Sequence, residues 1–278
     1  MPFILAAGGS VAYPTIFLSK SQTFVPPQDG NVTIHVIGAG GGGGGGYDLS
    51  GQSGAAGGYC KKNSLAVTTS SSFTVVVGAG GTGGRNGTGS GGTGNGGNGG
   101  NSTVAGTGLS STLTANGGAG GTDSGTSAVA GGTAANGDVN NTGGSSNRYM
   151  GGGAVGLTGT GNAGYSDSAN GTAGQCDVVG DLWSSTFGQI AGGRRGLTAD
   201  TNSDGSRTRP AAATYAHGEP LSGGGIVTIN STPNPSTLAT GGDGGIGAGG
   251  GAGINGSTHA YTRGGEGGPG LVIFSYIP

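Results

Sequence analysis

Asn95-Gly96-Gly97-Asn98-Gly99-Gly100-Asn101 repeats every three residues, and that period decides the fold. Three residues per turn, with about 3.1 Å of rise per residue, is polyproline II geometry. A G-G-X phase leaves two faces of such a helix without side chains, so neighbouring helices can approach and exchange N–H···O=C bonds laterally. The same phase recurs in Gly117-Gly118-Ala119-Gly120-Gly121-Thr122 and in Gly241-Gly242-Asp243-Gly244-Gly245-Ile246. Gly97, Gly100, Gly118, Gly121, Gly242 and Gly245 are therefore expected at helix contacts. Collagen is excluded, because the phase breaks repeatedly and only 10 of 278 residues are proline. The expectation is a bundle of short polyglycine II helices joined by turns. No segment carries a 3.6-residue apolar pattern of useful length, and glycine costs an α-helix about 1 kcal/mol per residue. Almost no α-helix should form.

Composition supports the same reading. Glycine accounts for 75 of 278 residues, against an average of about 7%. Leu, Ile, Val and Phe supply roughly 16% of the chain, below the ~20% at which a conventional core becomes doubtful. Charged residues are only 8% and the net charge is −2, so a highly charged disordered chain does not fit. Ten Lys and Arg with a pI near 5.8 lack the cationic footprint of a nucleic-acid binder. No stretch approaches the ~20 apolar residues of a membrane-spanning helix. The opening residues 1–9 lack the basic region and the length of a secretory leader. An ordered fold of this composition must offset the backbone entropy of its glycines largely through backbone hydrogen bonds and contacts between subunits.

Short apolar islands punctuate the glycine. Residues 32–37, 73–77 and 271–276 are rich in β-branched and aromatic side chains and read as strands of one small antiparallel sheet. Residues 65–77, interrupted by Ser70-Ser71-Ser72, read as a hairpin. The fold class is all-β: a small antiparallel sheet or sandwich, a polyglycine II bundle and long irregular loops.

Several motifs mimic chemistry. Gly38-Ala39-Gly40-Gly41-Gly42-Gly43 after a strand matches the dinucleotide fingerprint, and Gly78-Ala79-Gly80-Gly81-Thr82-Gly83 does so again. That motif needs a following helix and an acid about 20 residues on, and neither is present. Lys20, Lys61 and Lys62 are the only lysines and none follows a P-loop glycine. No cofactor is expected. Asp200, Asn202 and Asp204 begin a calcium loop, D-x-N-x-D-G, but position 12 falls on Ala211. They remain an incomplete metal candidate that an Asx-rich turn explains as well. Cys60 and Cys176, far apart, do not make a disulfide framework and are expected as free or buried thiols, with their pairing left open. His35 alternates with apolar neighbours and reads as a satisfied structural histidine. His217 and His259 are isolated, and Glu219 and Glu266 are the only glutamates, so no acid/base pair emerges and no enzyme is expected.

Large and cationic side chains gather where glycine stops. Tyr149 interrupts one tract, and Trp183 and Phe187 share another segment. Arg194, Arg195, Arg207 and Arg209 lead to Tyr215 and His217, and Tyr261 and Arg263 repeat the theme. Aromatic and Arg side chains carry binding hot spots, stack on sugar rings and pair with anions. Trp183 and Phe187 serve a small core equally well. The others read as an exposed binding surface.

The order of motifs resembles a known family. A strand ending in Val36-Ile37-Gly38-Ala39-Gly40, then Gly57-Gly58-Tyr59-Cys60-Lys61-Lys62, then Phe73-Thr74-Val75-Val76-Val77-Gly78-Ala79-Gly80-Gly81 is similar to the glycine-rich domain of bacteriophage tail-fibre and adhesin proteins. Leu113-Thr114-Ala115-Asn116-Gly117-Gly118, Gly137-Asp138-Val139-Asn140 and Gly268-Pro269-Gly270-Leu271-Val272-Ile273 follow in the same order. The resemblance spans residues 21–278. It implies a virion protein at the distal end of a fibre, assembled in the host cytoplasm, with glycine-rich helices as scaffold. Its loops would contact host surface polysaccharide or outer-membrane protein. Residues 174–221 depart from the glycine pattern as a receptor loop would, and residues 1–20 are expected to dock on another virion protein or subunit. A homotrimer would bury the sparse apolar strands. The alternatives are a head fibre or capsid decoration without a receptor role and, less well matched, an ice-binding or cell-wall glycine-rich protein.

Overall fold

The computed structural model describes residues 13–47, 51–86, 94–123, 127–146, 153, 155–156, 159–161, 163, 227–229, 239–255 and 262–278. Among these residues there is no helix of the α type, and the fold is all-β with a polyglycine II bundle. Two five-stranded antiparallel sheets form a sandwich. The first contains β1 (Thr15–Leu18), β3 (Gly30–Ile37), β5 (Tyr59–Val67), β11 (Val139–Asn141) and β16 (Leu271–Ile277), in the order β1-β16-β3-β5-β11. The second contains β2 (Gln22–Phe24), β6 (Phe73–Val76), β8 (Ser102–Gly106), β9 (Leu113–Ala115) and β10 (Ala134–Ala135), in the order β10-β9-β8-β6-β2.

Alternation explains why these short strands suffice. Ile16, Leu18, Val32, Ile34, Val36, Val272, Phe274 and Tyr276 point inward from the first sheet. Phe24, Phe73, Val75, Val104, Leu113 and Ala115 meet them from the second, with period-2 spacing on each strand. Phe274 is the hub: its ring centroid lies 4.5 Å from that of Phe24 and 5.3 Å from that of Phe73. In β5 the register shifts opposite Thr33, between Val32 and Ile34, and Ser64 takes a positive φ of 43° there. This bulge keeps Cys60 on the core face along with Leu65 and Val67.

Two strand expectations need correction. Residues 32–37 and 271–276 do pair in one sheet, from Leu271↔Ile37 to Tyr276↔Val32, but residues 73–76 belong to the facing sheet. The stretch 65–77 is accordingly not a hairpin. β5 and β6 are joined by a turn, closed by the Ser71 N–H donating to Thr68 O, that crosses from sheet to sheet. The crossing places Leu65 and Val67 on one side of the core and Phe73 and Val75 on the other, so that the two strands face each other across it. Residues 1–12 lie outside the described residues, while Thr15–Leu18 form β1, paired with Val272–Ser275 of β16.

From the sandwich the chain repeatedly runs out and back as extended glycine-rich segments. We number them PG1 (38–45), PG2 (52–58), PG3 (78–84), PG4 (94–101), PG5 (116–123), PG6 (129–133), PG7 (142–146), PG8 (241–247), PG9 (248–253) and PG10 (264–270). Their hydrogen bonds show the three-residue turn directly. Gly38, Gly41 and Gly44 donate to Gly58, Ala55 and Gln52 of PG2; Ala39, Gly42 and Gly45 donate to Gly100, Gly97 and Gly94 of PG4. Gly40 and Gly43 donate to Gly268 and Gly265 of PG10, and all eight bonds measure 2.7–3.1 Å. The PG1 carbonyls accept in three more directions, from Gly81 and Gly84 of PG3, from Gly118 and Gly121 of PG5, and from Gly250 and Gly253 of PG9. PG1 thus sits at the centre of a hexagon. Its three acceptors run antiparallel to it, its three donors run parallel, and the two kinds alternate around the ring. PG2 is the centre of a second hexagon, bounded by PG1, PG5, PG6, PG7, Gly153 and PG9.

Glycine is required here by distance. A Cβ on Gly41 would overlap the Ala119 carbonyl, one on Gly118 the Ala55 carbonyl, and one on Gly121 the Gln52 carbonyl. Gly247 is required by conformation as well. Its φ of 69° turns PG8 into PG9, and a Cβ there would lie 2.5 Å from Ile37 Cγ2 and 2.6 Å from Val155 Cγ2.

Candidate functional site

The bundle has two chemically different ends. PG1, PG3, PG5 and PG7 leave directly from β3, β6, β9 and β11, and PG2, PG4, PG6 and PG10 return directly into β5, β8, β10 and β16. Their other ends gather away from the sandwich. There β4 (Gly45–Tyr47), β12 (Val227–Ile229) and β14 (Gly253–Asn255) form a small parallel sheet. Beside them β13 (Ala239–Thr240) pairs in parallel and β7 (Arg85–Asn86) antiparallel with β15 (Thr262–Arg263). Gly45 N–H to Gly94 O and Gln52 N–H to Thr122 O tie the neighbouring helix ends together.

Of the sequence candidates for receptor contact, Arg263 is described. It lies in β15 at this far end, opposite Arg85, and its Nη2 donates to Glu266 Oε1 at 2.9 Å. The Glu266 N–H in turn donates to Asp243 Oδ1 at 2.7 Å, which makes a compact cluster of charge on the rim. Tyr149, Trp183, Phe187, Arg194, Arg195, Arg207, Arg209, Tyr215, His217 and Tyr261 lie outside the described residues, as do Asp200, Asn202 and Asp204 and Cys176. The chain positions that flank them are informative. Tyr149 follows Ser146, where PG7 reaches the far end, Tyr261 falls between β14 and β15, and the stretch 174–221 precedes β12.

The six glycines expected at helix contacts occupy different depths. Gly118 and Gly121 face PG2 across the first hexagon. Gly97 and Gly100 face PG3, where an added Cβ would lie 2.8 Å from Thr82 Oγ1 and 2.9 Å from Ala79 N respectively. Gly242 and Gly245 accept from Gly251 and Ala248 of PG9.

One arrangement was not anticipated from the sequence. The side-chain carbonyls of Asn101, Asn98 and Asn95 accept from the backbone N–H groups of Gly117, Gly120 and Asp123, at 2.9, 2.9 and 3.0 Å. Three asparagines, one per turn of PG4, thus stand in for a missing helix along the outer edge of PG5. Asp123 answers from PG5, its Oδ2 accepting from the Gly94 N–H. The spacing of the asparagines was visible; that an amide carbonyl can replace a backbone carbonyl at that spacing was the signal overlooked.

The remaining titratable groups are structural. His35 is buried on the outer face of the first sheet, its Nδ1 2.7 Å from the Tyr59 hydroxyl. Burial, aided by the nearby Lys61 charge, lowers its pKa to about 3, and burial pushes Tyr59 upward. Cys60 is a buried free thiol, raised by burial to about 12 and so unreactive as a thiolate. Lys62 and Asp138 form an exposed ion pair at 2.8 Å. The fingerprint residues 38–43 give every N–H to a backbone carbonyl, so none is left to hold a phosphate. Among the described residues no three His, Cys, Asp or Glu side chains gather in a metal-binding group.

A family model described as a glycine-rich domain matches residues 18–277. No curated protein matches the chain.

Proposed function

From the premise that the chain belongs to the glycine-rich domain family, we propose that it is a non-enzymatic bacteriophage virion protein, the tip of a tail fibre or another receptor-binding adhesin. Its partners in this reading are other virion proteins, further copies in a homotrimer, and polysaccharide or outer-membrane protein on the host surface. The observation that carries it is the polarity of the fold. The sandwich closes one end, while the described residues nearest Tyr149 and Tyr261 in the chain lie toward the other; the chain before Trp183 and the arginines is last described beside β11, where the Gly161 N–H donates to Thr142 O, and is next described at the far end in β12. A backbone-bonded bundle is a stiff stalk for such loops, since it offers recognition chemistry only where glycine gives way to aromatic and Arg residues.

The test is binding of the purified, labelled protein to a panel of bacterial cells, compared with a variant carrying Tyr261→Ala and Arg263→Ala. Saturable binding that the variant weakens supports the reading. Absence of binding, with the protein located on the capsid shell of virions, overturns it in favour of a head fibre or decoration protein.

A further inference from the structure

The six helices around PG1 form two sets of three, and one member of one set is incomplete. PG3, PG5 and PG9 all run parallel to PG1 and each gives it one row of N–H groups, which leaves two outward rows apiece. In PG5, Asn116 and Ala119 donate to Thr133 and Ala130 of PG6, and Gly117, Gly120 and Asp123 donate to the asparagine side chains. In PG9, Ala248 and Gly251 donate to Gly245 and Gly242, while Gly249 and Ala252 donate to Gly153 O and Ser53 Oγ. PG3 occupies the equivalent place in the lattice, yet neither of its outward rows, Ala79 with Thr82 and Gly80 with Gly83, has a partner among the described residues.

The open rows are contiguous with a second feature. On one side of PG3, PG4 adds the N–H groups of Asn95, Asn98 and Asn101, which also lack partners among the described residues. On the other side PG10 is closed: the Glu266 N–H is held by Asp243, and at the next turn Pro269 has no N–H to offer. Ala79 and Thr82 are exposed and small, and PG3 carries no charge. Unpaired backbone edges of this kind template further chains.

We propose that PG3 and the adjoining rim of PG4 are the surface through which copies of this chain associate, with an extended glycine-rich segment of a neighbouring copy filling the unoccupied lattice positions beside PG3. Acceptors must recur every third residue, about 9 Å along the axis, to meet both rows. A β-strand, with its two-residue repeat near 7 Å, falls out of step. This chain supplies the required period itself, and an uncharged edge suits a copy better than a charged partner. The proposal rests on the self-association in the reading above and is independent of host binding.

Two variants of the full chain test it. Ala79→Pro with Thr82→Pro removes one N–H row while keeping the extended backbone, as Pro269 does in PG10. Ala79→Gln with Thr82→Gln leaves the N–H groups but puts bulk in the way of approach. Sedimentation velocity across a concentration series reads the association, and amide exchange of PG1 reports whether the bundle is intact. The expected result is an oligomeric parent and a dissociation constant raised by about tenfold or more in each variant that retains PG1 protection. If the proline variant loses protection, the glutamine variant decides. A parent that is monomeric overturns both the edge and the homotrimer. A parent oligomer unmoved by the folded variants overturns the edge alone.

Discussion

At the scale of single residues, glycine here is defined by what lies where its side chain would be. Gly118 faces the Ala55 carbonyl across buried backbone, whereas Gly97 faces the rotatable Thr82 hydroxyl and Gly159 faces nothing within 4 Å. Substitution by alanine should therefore cost about 3 kcal/mol or more at Gly118, about 1 at Gly97 and within ~0.5 at Gly159. Thermal denaturation of the three variants checks the order, and equal losses would refute close helix contact as the cause. His35 sets a second expectation. It is held neutral in the fold with a pKa near 3, against about 6.5 in the unfolded chain. The unfolded state therefore binds the extra proton first. The His35 contribution is nil above pH 6.5 and destabilises the fold as pH drops from there toward 3, by roughly 5 kcal/mol over the whole window. His35→Gln, which keeps a polar partner for Tyr59, should flatten that acid limb in melts between pH 7 and 4.

At the scale of elements, the asparagine side chains finish what backbone cannot. Replacing Asn95, Asn98 and Asn101 by Ala leaves the N–H groups of Gly117, Gly120 and Asp123 to water. Because these sites are half-exposed, the loss should be about 0.5–1 kcal/mol each. Amide exchange gives the sharper readout: those three protons lose protection, while Gly118 and Gly121, bonded to Ala39 and Gly42, keep theirs. This ladder also marks how far the sequence could be read. The period at residues 95–101 was enough to foresee a polyglycine II bundle, because three residues per turn is a local property. Which helices are neighbours was not legible, since nothing in Gly40 or Gly43 distinguishes PG10 from any other glycine tract; that choice is made by the order in which strands leave the sandwich. The sheet to which residues 73–76 belong is not legible for a related reason. Their alternation fixes which face is buried, and Phe73 and Val75 bury equally well from either side of one core. Of the candidate site, Arg263 could be found as an Arg beside an aromatic, but not its engagement by Glu266 three residues on.

At the scale of the whole molecule, two modest clusters of apolar side chains anchor a much larger body held by backbone hydrogen bonds. Unfolding should expose little apolar surface for each hydrogen bond broken. The heat-capacity increment should then fall below the about 3.3–4.2 kcal/mol/K typical of 278 residues, and differential scanning calorimetry measures it directly. A value inside that range would mean that side-chain burial, not the lattice, dominates stability.

The direction of those bonds has a mechanical consequence. They lie across the bundle, so tension along its axis loads many in shear at once, and they must fail together. The ends of the described chain present the opposite case. Tyr276 N–H bonds Pro14 O, and β1 lies against β16, so pulling those ends apart opens bonds one after another like a zipper. The same molecule is therefore strong as a strut between its two ends and weak against peeling at its sandwich edge.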